Sequence, residues 1–283
     1  IIEGEDVGIE VKIFPNAQVV GSDRDSIEAV TLGEIDMTSV AELQFAPNIK
    51  EFYVFNADYL FDDLKDAKAK LDGEQGDLLK KAADDKNMGV KVAAFFGSSG
   101  RIFWNNVREV NTLADFQGIK SRAPENPINI AELEALGCIP TPMAWNELYT
   151  GLQQGTVDGL VSSKMPIIQQ GLIDVLKYAT DTNHSYSINV ILISSAKYNS
   201  FSEEQRAAYD KAIAGAAEEE WKIAMKEEED SVQKIKELQE QGKILYTELT
   251  DEARAEIKEA MVAATEPKVE EMCGKEILET FRN

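Results

Sequence analysis

The chain has 283 residues, 43% of them apolar, and sets 51 Asp and Glu against 29 Lys and Arg for a net charge of −22. So acidic a chain argues against nucleic acid and anionic membrane as partners, and no run of about 18 apolar residues offers a membrane span. The length suits one large or two medium domains with a sizeable core.

No secretory leader is visible, and Ile1 in place of an initiator Met fits a processed or incomplete chain. Ile1 to Gly8 reads as the end of a helix and its turn. Ile9 to Phe14 (IEVKIF) alternates as a strand, which Pro15 ends. Ser22 or Asp23 caps a helix running to Leu32, Gly33 stops it, and Ile35 to Val40 is the next strand. The aromatic run Phe52 to Phe61 reads as core and cleft wall. Ala67 to Asp85 is helical, with Gly73 and Gly76 as interruptions. Val90 to Phe96 is a strand, and the Gly-Ser loop after it is a crossover that delivers Arg101.

Residues 118–163 carry the most information. Ile119 to Ala123 is a strand ended by Pro124. Pro127 suits a first helical turn, and Ile128, Ala131 and Ala135 then repeat at helical spacing up to Gly137. Cys138 to Met143 is extended, Asn146 caps a helix from Glu147 to Gln154, and Val157 to Val161 is a strand. Strands alternating with short helices imply a parallel α/β sheet. Ligands bind such sheets outside the carboxyl ends of the strands. Arg122, Trp145, Ser162 and Ser163 all fall at such seams, and a guanidinium fork matches a carboxylate bidentately.

An internal echo points to two similar halves. EAVTLGEIDMTSV at 28–40 and YTGLQQGTVDGLVSS at 149–163 share helix, Gly, Asp and strand, so Asp36 and Asp158 read as turn residues. Further on, Asn189 to Ser194 is a returning strand. Ser202 caps a helix of some forty residues with a solvated acidic face, and Thr250 to Ala264 and Lys268 to Phe281 are the last helices.

Catalytic signatures are missing. There is no G-x-G-x-x-G, no phosphate-binding loop and no H-E-x-x-H. His184 is the only histidine and reads as structural; with two distant cysteines it makes no metal cluster, so no metal and no cofactor are expected. Cys138 reads as a small buried residue, and its pairing with Cys273 stays open. Glu132 and Glu134 read as surface charge. An enzyme of small carboxylates could still use Arg122 to orient its substrate.

GIKSRAPENP, LEALGCIPTPM and TPMAWNELYTGLQQGTVDG together resemble the solute-binding proteins of TRAP transporters, the DctP-type periplasmic receptors. The resemblance extends over nearly the whole chain. It implies an α/β, two-lobed periplasmic-binding-protein-like fold with crossing hinge strands and a long helix spanning both lobes. The lobes are expected at 1–99 with 187–225 and at 100–186 with 226–283. Family members normally open with a strand and helix, and the resemblance implies that these are missing ahead of Ile9.

The same resemblance implies an extracytoplasmic, monomeric receptor. It would deliver a small organic acid to a TRAP membrane permease without inserting into the membrane. Arg122 would hold the carboxylate, Arg101 would add positive charge or bind a second polar group, and Trp145 would pack the ligand's apolar face. Ser162, Tyr186, Asp23 and Glu42 would line the cleft. At 160–163 the sequence LVSS departs from the family's Q-x-N-P-like run, which leaves sugar acid, C4-dicarboxylate and keto acid open as ligands. An ABC-type or sensory receptor for the same ligands is the other reading.

Overall fold

A computed structural model describes residues 2–15, 18–124 and 126–283. Seven strands form one sheet: β1 (Met37–Ala41), β2 (Val90–Asn105), β3 (Lys120–Ala123), β4 (Ile139–Pro142), β5 (Gly159–Ser163), β6 (Tyr178–Ser194) and β7 (Leu245–Thr247). The order is β1-β6-β2-β5-β3-β4, with β7 beside β6. The sheet is mixed rather than parallel. β1, β2 and β5 pair antiparallel to their neighbours on β6 and β2, whereas β3 runs parallel to β4 and β5.

The helices are α1 (Asp23–Leu32), α2 (Glu42–Phe45), α3 (Leu64–Leu71), α4 (Glu74–Lys86), α5 (Pro127–Ala135), α6 (Leu148–Gln154), α7 (Lys164–Gln169), α8 (Ser195–Ser200), α9 (Glu203–Glu240), α10 (Asp251–Cys273) and α11 (Lys275–Arg282). Their ends follow local chemistry. The Ser22 hydroxyl accepts from the Asp25 amide to start α1, and Gly33 at φ 75° closes it by donating to Ala29 and Val30 carbonyls. A reciprocal Ser202–Gln205 capping box starts α9. At 38 residues α9 is about 57 Å long at 1.5 Å per residue.

Burial divides the molecule into two halves. One half has an aromatic-rich core that includes Phe45, Phe52, Phe55, Phe95 and Trp221, with a smaller cluster around Ile193, Tyr209 and Ala212. In the other half a cluster lies on each face of the sheet: Ile102, Trp104, Leu160 and Ile167 on one, Phe103, Phe116, Leu133 and Met261 on the other. Ile102, Phe103 and Trp104 alternate between these clusters because successive strand residues face opposite ways. Five elements serve both halves. β2, β6, α5, α9 and α10 each place residues in the first core and in at least one of the other two clusters.

Several expectations change. Residues 9–14 form no strand; Val11, Ile13 and Phe14 are 51%, 80% and 60% exposed and no neighbouring strand pairs them. Alternation alone cannot make a strand without a ladder partner. The Gly-Ser loop is not a loop, because β2 runs through it with register shifts. A Cβ on Gly97 would lie 2.4 Å from the Trp221 ring, and one on Gly100 would lie 1.9 Å from Asn183 Oδ1. The glycines are there for close approach rather than for a turn. Pro267 does not end α10; Val269 and Cys273 beyond it are buried, and the break falls at Gly274, φ 92°. Glu132 is buried at 4% exposure, not on the surface, while Glu134 is exposed.

Candidate functional site

The carboxyl ends of β1 and β5 point at each other across the middle of β2. Ala41, which ends β1, is level with Asn189 on β6 and so with Phe96 on β2. Ser163, which ends β5, is level with Arg101. Residues 97–100 of β2 therefore lie between the two strand ends. Here β2 is pinned from behind. The Gly100 amide donates to Glu228 Oε2 at 2.9 Å, and Lys164 Nζ, on a side chain 1% exposed, donates to Glu228 Oε1 at 2.6 Å. Glu228 sits near the middle of α9, so α9, α7 and β2 meet at one balanced ion pair.

Arg101 faces the first half. Its Nε donates to Ser187 Oγ at 2.9 Å and its Nη2 to Glu42 Oε1 at 3.2 Å. Glu42, at the start of α2, is 1% exposed, and its Oε2 is buried with no hydrogen-bond partner. Burial raises the Glu42 carboxyl above its usual range, opposed by the Arg101 charge and by backbone amides. Asp23, at the start of α1, accepts the Ala41 amide at 3.2 Å and ties α1 to the end of β1 beside Glu42. Ser22, not Asp23, is the α1 cap.

Arg122 lies on β3, level with Leu160 of β5. Its Nε donates to the Met143 carbonyl at 2.9 Å, and its guanidinium lies 5.7 Å from the centre of the Trp145 ring. That leaves the terminal nitrogens of the fork to be met from elsewhere. Burial, and then the Arg101 charge, lower the Arg122 pKa below its ordinary value. Trp145 opens a short 3-10 turn, packs on the Trp104 cluster and donates from Nε1 to Gln170 Oε1 at 2.8 Å. Ser162 is buried, and its carbonyl accepts from Trp104 Nε1 at 3.1 Å. Tyr186 is buried opposite Gly100; its hydroxyl accepts from Asn183 at 2.9 Å, and burial pushes its pKa up to about 12.

Arg101, Glu42 and Ser187 thus make one connected group, with Arg122 and Trp145 next to it. Asp23 and Tyr186 brace that group through the backbone and through β6. Sequence reasoning passed over Lys164, Glu228 and Ser187. Glu228 lies within the acidic run EEED, and nothing in such a run marks the one acid that is buried. Trp145 is half-buried between the Arg122 fork and a core cluster, so it has a face on each side.

Residues 4–272 match the family model described as bacterial extracellular solute-binding protein, family 7. The chain is 28% identical over 277 residues to a C4-dicarboxylate-binding periplasmic protein DctP of Rhodobacter capsulatus, covering 95% of this chain and 79% of that one. It superposes with TM-score 0.87 and 29% identity on the sugar acid binding protein DctPAm of Advenella mimigardefordensis in complex with galactonate, covering 99% and 88%. A TRAP periplasmic solute-binding protein of Ochrobactrum anthropi, with a C-terminus bound in its ligand-binding pocket, matches with TM-score 0.89 and 28% identity, covering 99% and 85%.

Proposed function

The chain belongs to family 7 of the bacterial extracellular solute-binding proteins, and on that premise we propose that it is a TRAP-type receptor for a hydroxylated monocarboxylate of the sugar-acid class. The family is one of binding receptors, so the solute is held and released, not turned over. The fold is the two-lobed one of its structural relatives.

The single observation that carries the ligand class is the unequal commitment of the two guanidiniums. Arg101 is already paired with the buried Glu42. Among the described residues Arg122 has its Nε engaged, by a backbone carbonyl, and its terminal nitrogens suit one ligand carboxylate. Glu42 Oε2 has no partner, and a ligand hydroxyl would supply the donor it lacks. A second ligand carboxylate there would meet Glu42 at short range and be repelled. Trp145 and the serines 162, 163 and 187 suit a short polyol chain. The galactonate relative supports this reading, and the C4-dicarboxylate relative is the competing case.

No helix among the described residues is long and apolar enough to cross a membrane. The family's partner for delivery across the membrane is a TRAP permease, with the receptor monomeric on the extracytoplasmic side. The lobes are assigned as 1–99 with 187–225, and 100–186 with 226–268. The last residues join the first lobe, because Val269, Cys273, Leu278 and Phe281 pack in its core.

Titration calorimetry with an aldonate, a uronate, succinate and a keto acid tests the class. The aldonate or uronate should bind at least about tenfold tighter than succinate, a difference of 1.4 kcal/mol. Succinate binding as tightly overturns the sugar-acid class but not the receptor. Conversion of any ligand during incubation overturns the receptor.

A further inference from the structure

Three buried polar side chains that the solute site does not use converge where the two halves meet. Asp58 follows the aromatic turn Lys50–Asn56 of the first core, Glu132 is on α5 of the second half, and His184 is on the crossing strand β6. They are 2%, 4% and 1% exposed. One donor atom from each lies within 4.8 Å of those of the other two.

One inward atom, His184 Nε2, lacks a hydrogen-bond partner, while each side chain has an outer one. His184 Nε2 is buried without a hydrogen-bond partner and lies 3.3 Å from Glu132 Oε1. Its other nitrogen, Nδ1, is 2.9 Å from Thr182 Oγ1. Glu132 Oε2 accepts from Asn129 at 3.1 Å, and Asp58 Oδ2 accepts from the Thr265 hydroxyl at 2.8 Å. Each of the three side chains is thus oriented by an outer hydrogen bond, as ligands of a bound metal are. The two arginines nearby do not fill the centre. Arg254 bonds the Thr182 carbonyl and Asp181, and Arg282 bonds the carbonyls of Asp58 and Tyr59 and the carboxylate of Glu266.

We propose that Asp58, Glu132 and His184 bind one divalent first-row transition cation, of the zinc or manganese class, at the junction of the two halves. One imidazole and two carboxylates suit such a cation in donor type. With neutral imidazole their combined charge of −2 matches it as well. In the absence of a cation the cluster is poorly balanced, because two buried carboxyl groups, Asp58 and Glu132, stand against one imidazole. The cation draws an element of each half and a crossing strand to one point, so its role is structural. The inference is independent of which solute the receptor binds.

The test uses the full chain without an affinity tag, stripped with a chelator and then given zinc or manganese chloride, with calcium and magnesium chloride for comparison. Elemental analysis after gel filtration should find about one zinc or manganese per chain, retained in preference to calcium and magnesium. Asp58→Asn and His184→Gln should lose it, whereas Thr182→Val, which keeps all three ligands, should weaken binding about 10–100-fold. The chain has one histidine, so its imidazole gives one set of NMR signals, which added manganese should broaden selectively. That readout needs no variant and stands if Asp58→Asn or His184→Gln fails to fold. An unaffected histidine signal, no cation retained by the native chain, or equal retention by the folded variants overturns the site.

Discussion

Two places where the lobes meet carry opposite imbalances of buried charge. At one, Arg101 is paired with the buried carboxylate of Glu42, and Arg122 is close enough to feel the Arg101 charge. At the other, the carboxylates of Asp58 and Glu132 face the single imidazole of His184. A third place, behind β2, is balanced: Lys164 and Glu228 match one to one and hold β2 to α9. A balanced pair has what it needs from the fold itself. An unbalanced buried group is costly to leave unpaired, and a bound ion of opposite sign relieves it. On that contrast the Arg122 fork is the proposed place for an anion, and Lys164 is framework.

Substitutions can break the contrast. The largest effect on stability is expected from Arg101→Ala, which strands the buried carboxylate of Glu42. Breaking a buried pair costs about 3–5 kcal/mol, and the residual exposure of Arg101 places this case near the lower figure. Chemical denaturation measures it; a loss below about 1 kcal/mol, the scale of an exposed pair, would show that Glu42 is not dependent on Arg101.

Arg122→Ala should act on the ligand instead. Removing the anchor of a desolvated carboxylate costs about 2–5 kcal/mol, roughly 30- to several-thousand-fold in affinity. Arg122→Lys keeps the charge without the fork and should also bind poorly. Near-native titration curves from folded Arg122→Ala would remove the anion site from Arg122.

Lys164→Met sharpens the comparison from the balanced side. It should cost about 1–3 kcal/mol of stability, since Glu228 keeps partial exposure and its bond to Gly100, and should leave solute affinity nearly unchanged. A large loss of affinity in a folded variant would make Lys164 part of the solute site. The smallest effect is expected at Trp145. Trp145→Ala should weaken binding by about 1 kcal/mol, the scale of one partly desolvated cation–π contact. It should also abolish most of the ligand-induced fluorescence change, although Trp104 and Trp221 emit too. A full change surviving in the variant would make Trp145 purely a core residue.

The site's parts were visible to different degrees. Arg122, Trp145 and Ser162 lie in a stretch whose prolines and glycines mark strand ends and helix starts, so their place at a seam follows from local chemistry. Glu42 and Glu132 were unreadable by that route. Their neighbours in sequence do not distinguish a buried acid from a solvated one, and their partners Arg101 and His184 are far away along the chain. The strand expected at residues 9–14 shows the converse. Its alternation is clear, yet no ladder forms, because pairing belongs to the neighbour as much as to the segment.

What the sequence by itself determined is the part of this protein that depends on spacing of a few residues. That covers the caps of α1 and α9, the proline start of α5, the α/β alternation, the glycine stops and the placement of Arg122 at a strand end. Tertiary structure decided everything that depends on which distant groups share a low-dielectric space. It made β2 continuous through Gly97 and Gly100 by bringing Trp221 and Asn183 against them. It buried Glu42 against Arg101, and it gathered Asp58, Glu132 and His184 at one point. Helical and turn preferences act over a few bonds, whereas the cost of an unpaired buried charge depends on the whole surrounding fold.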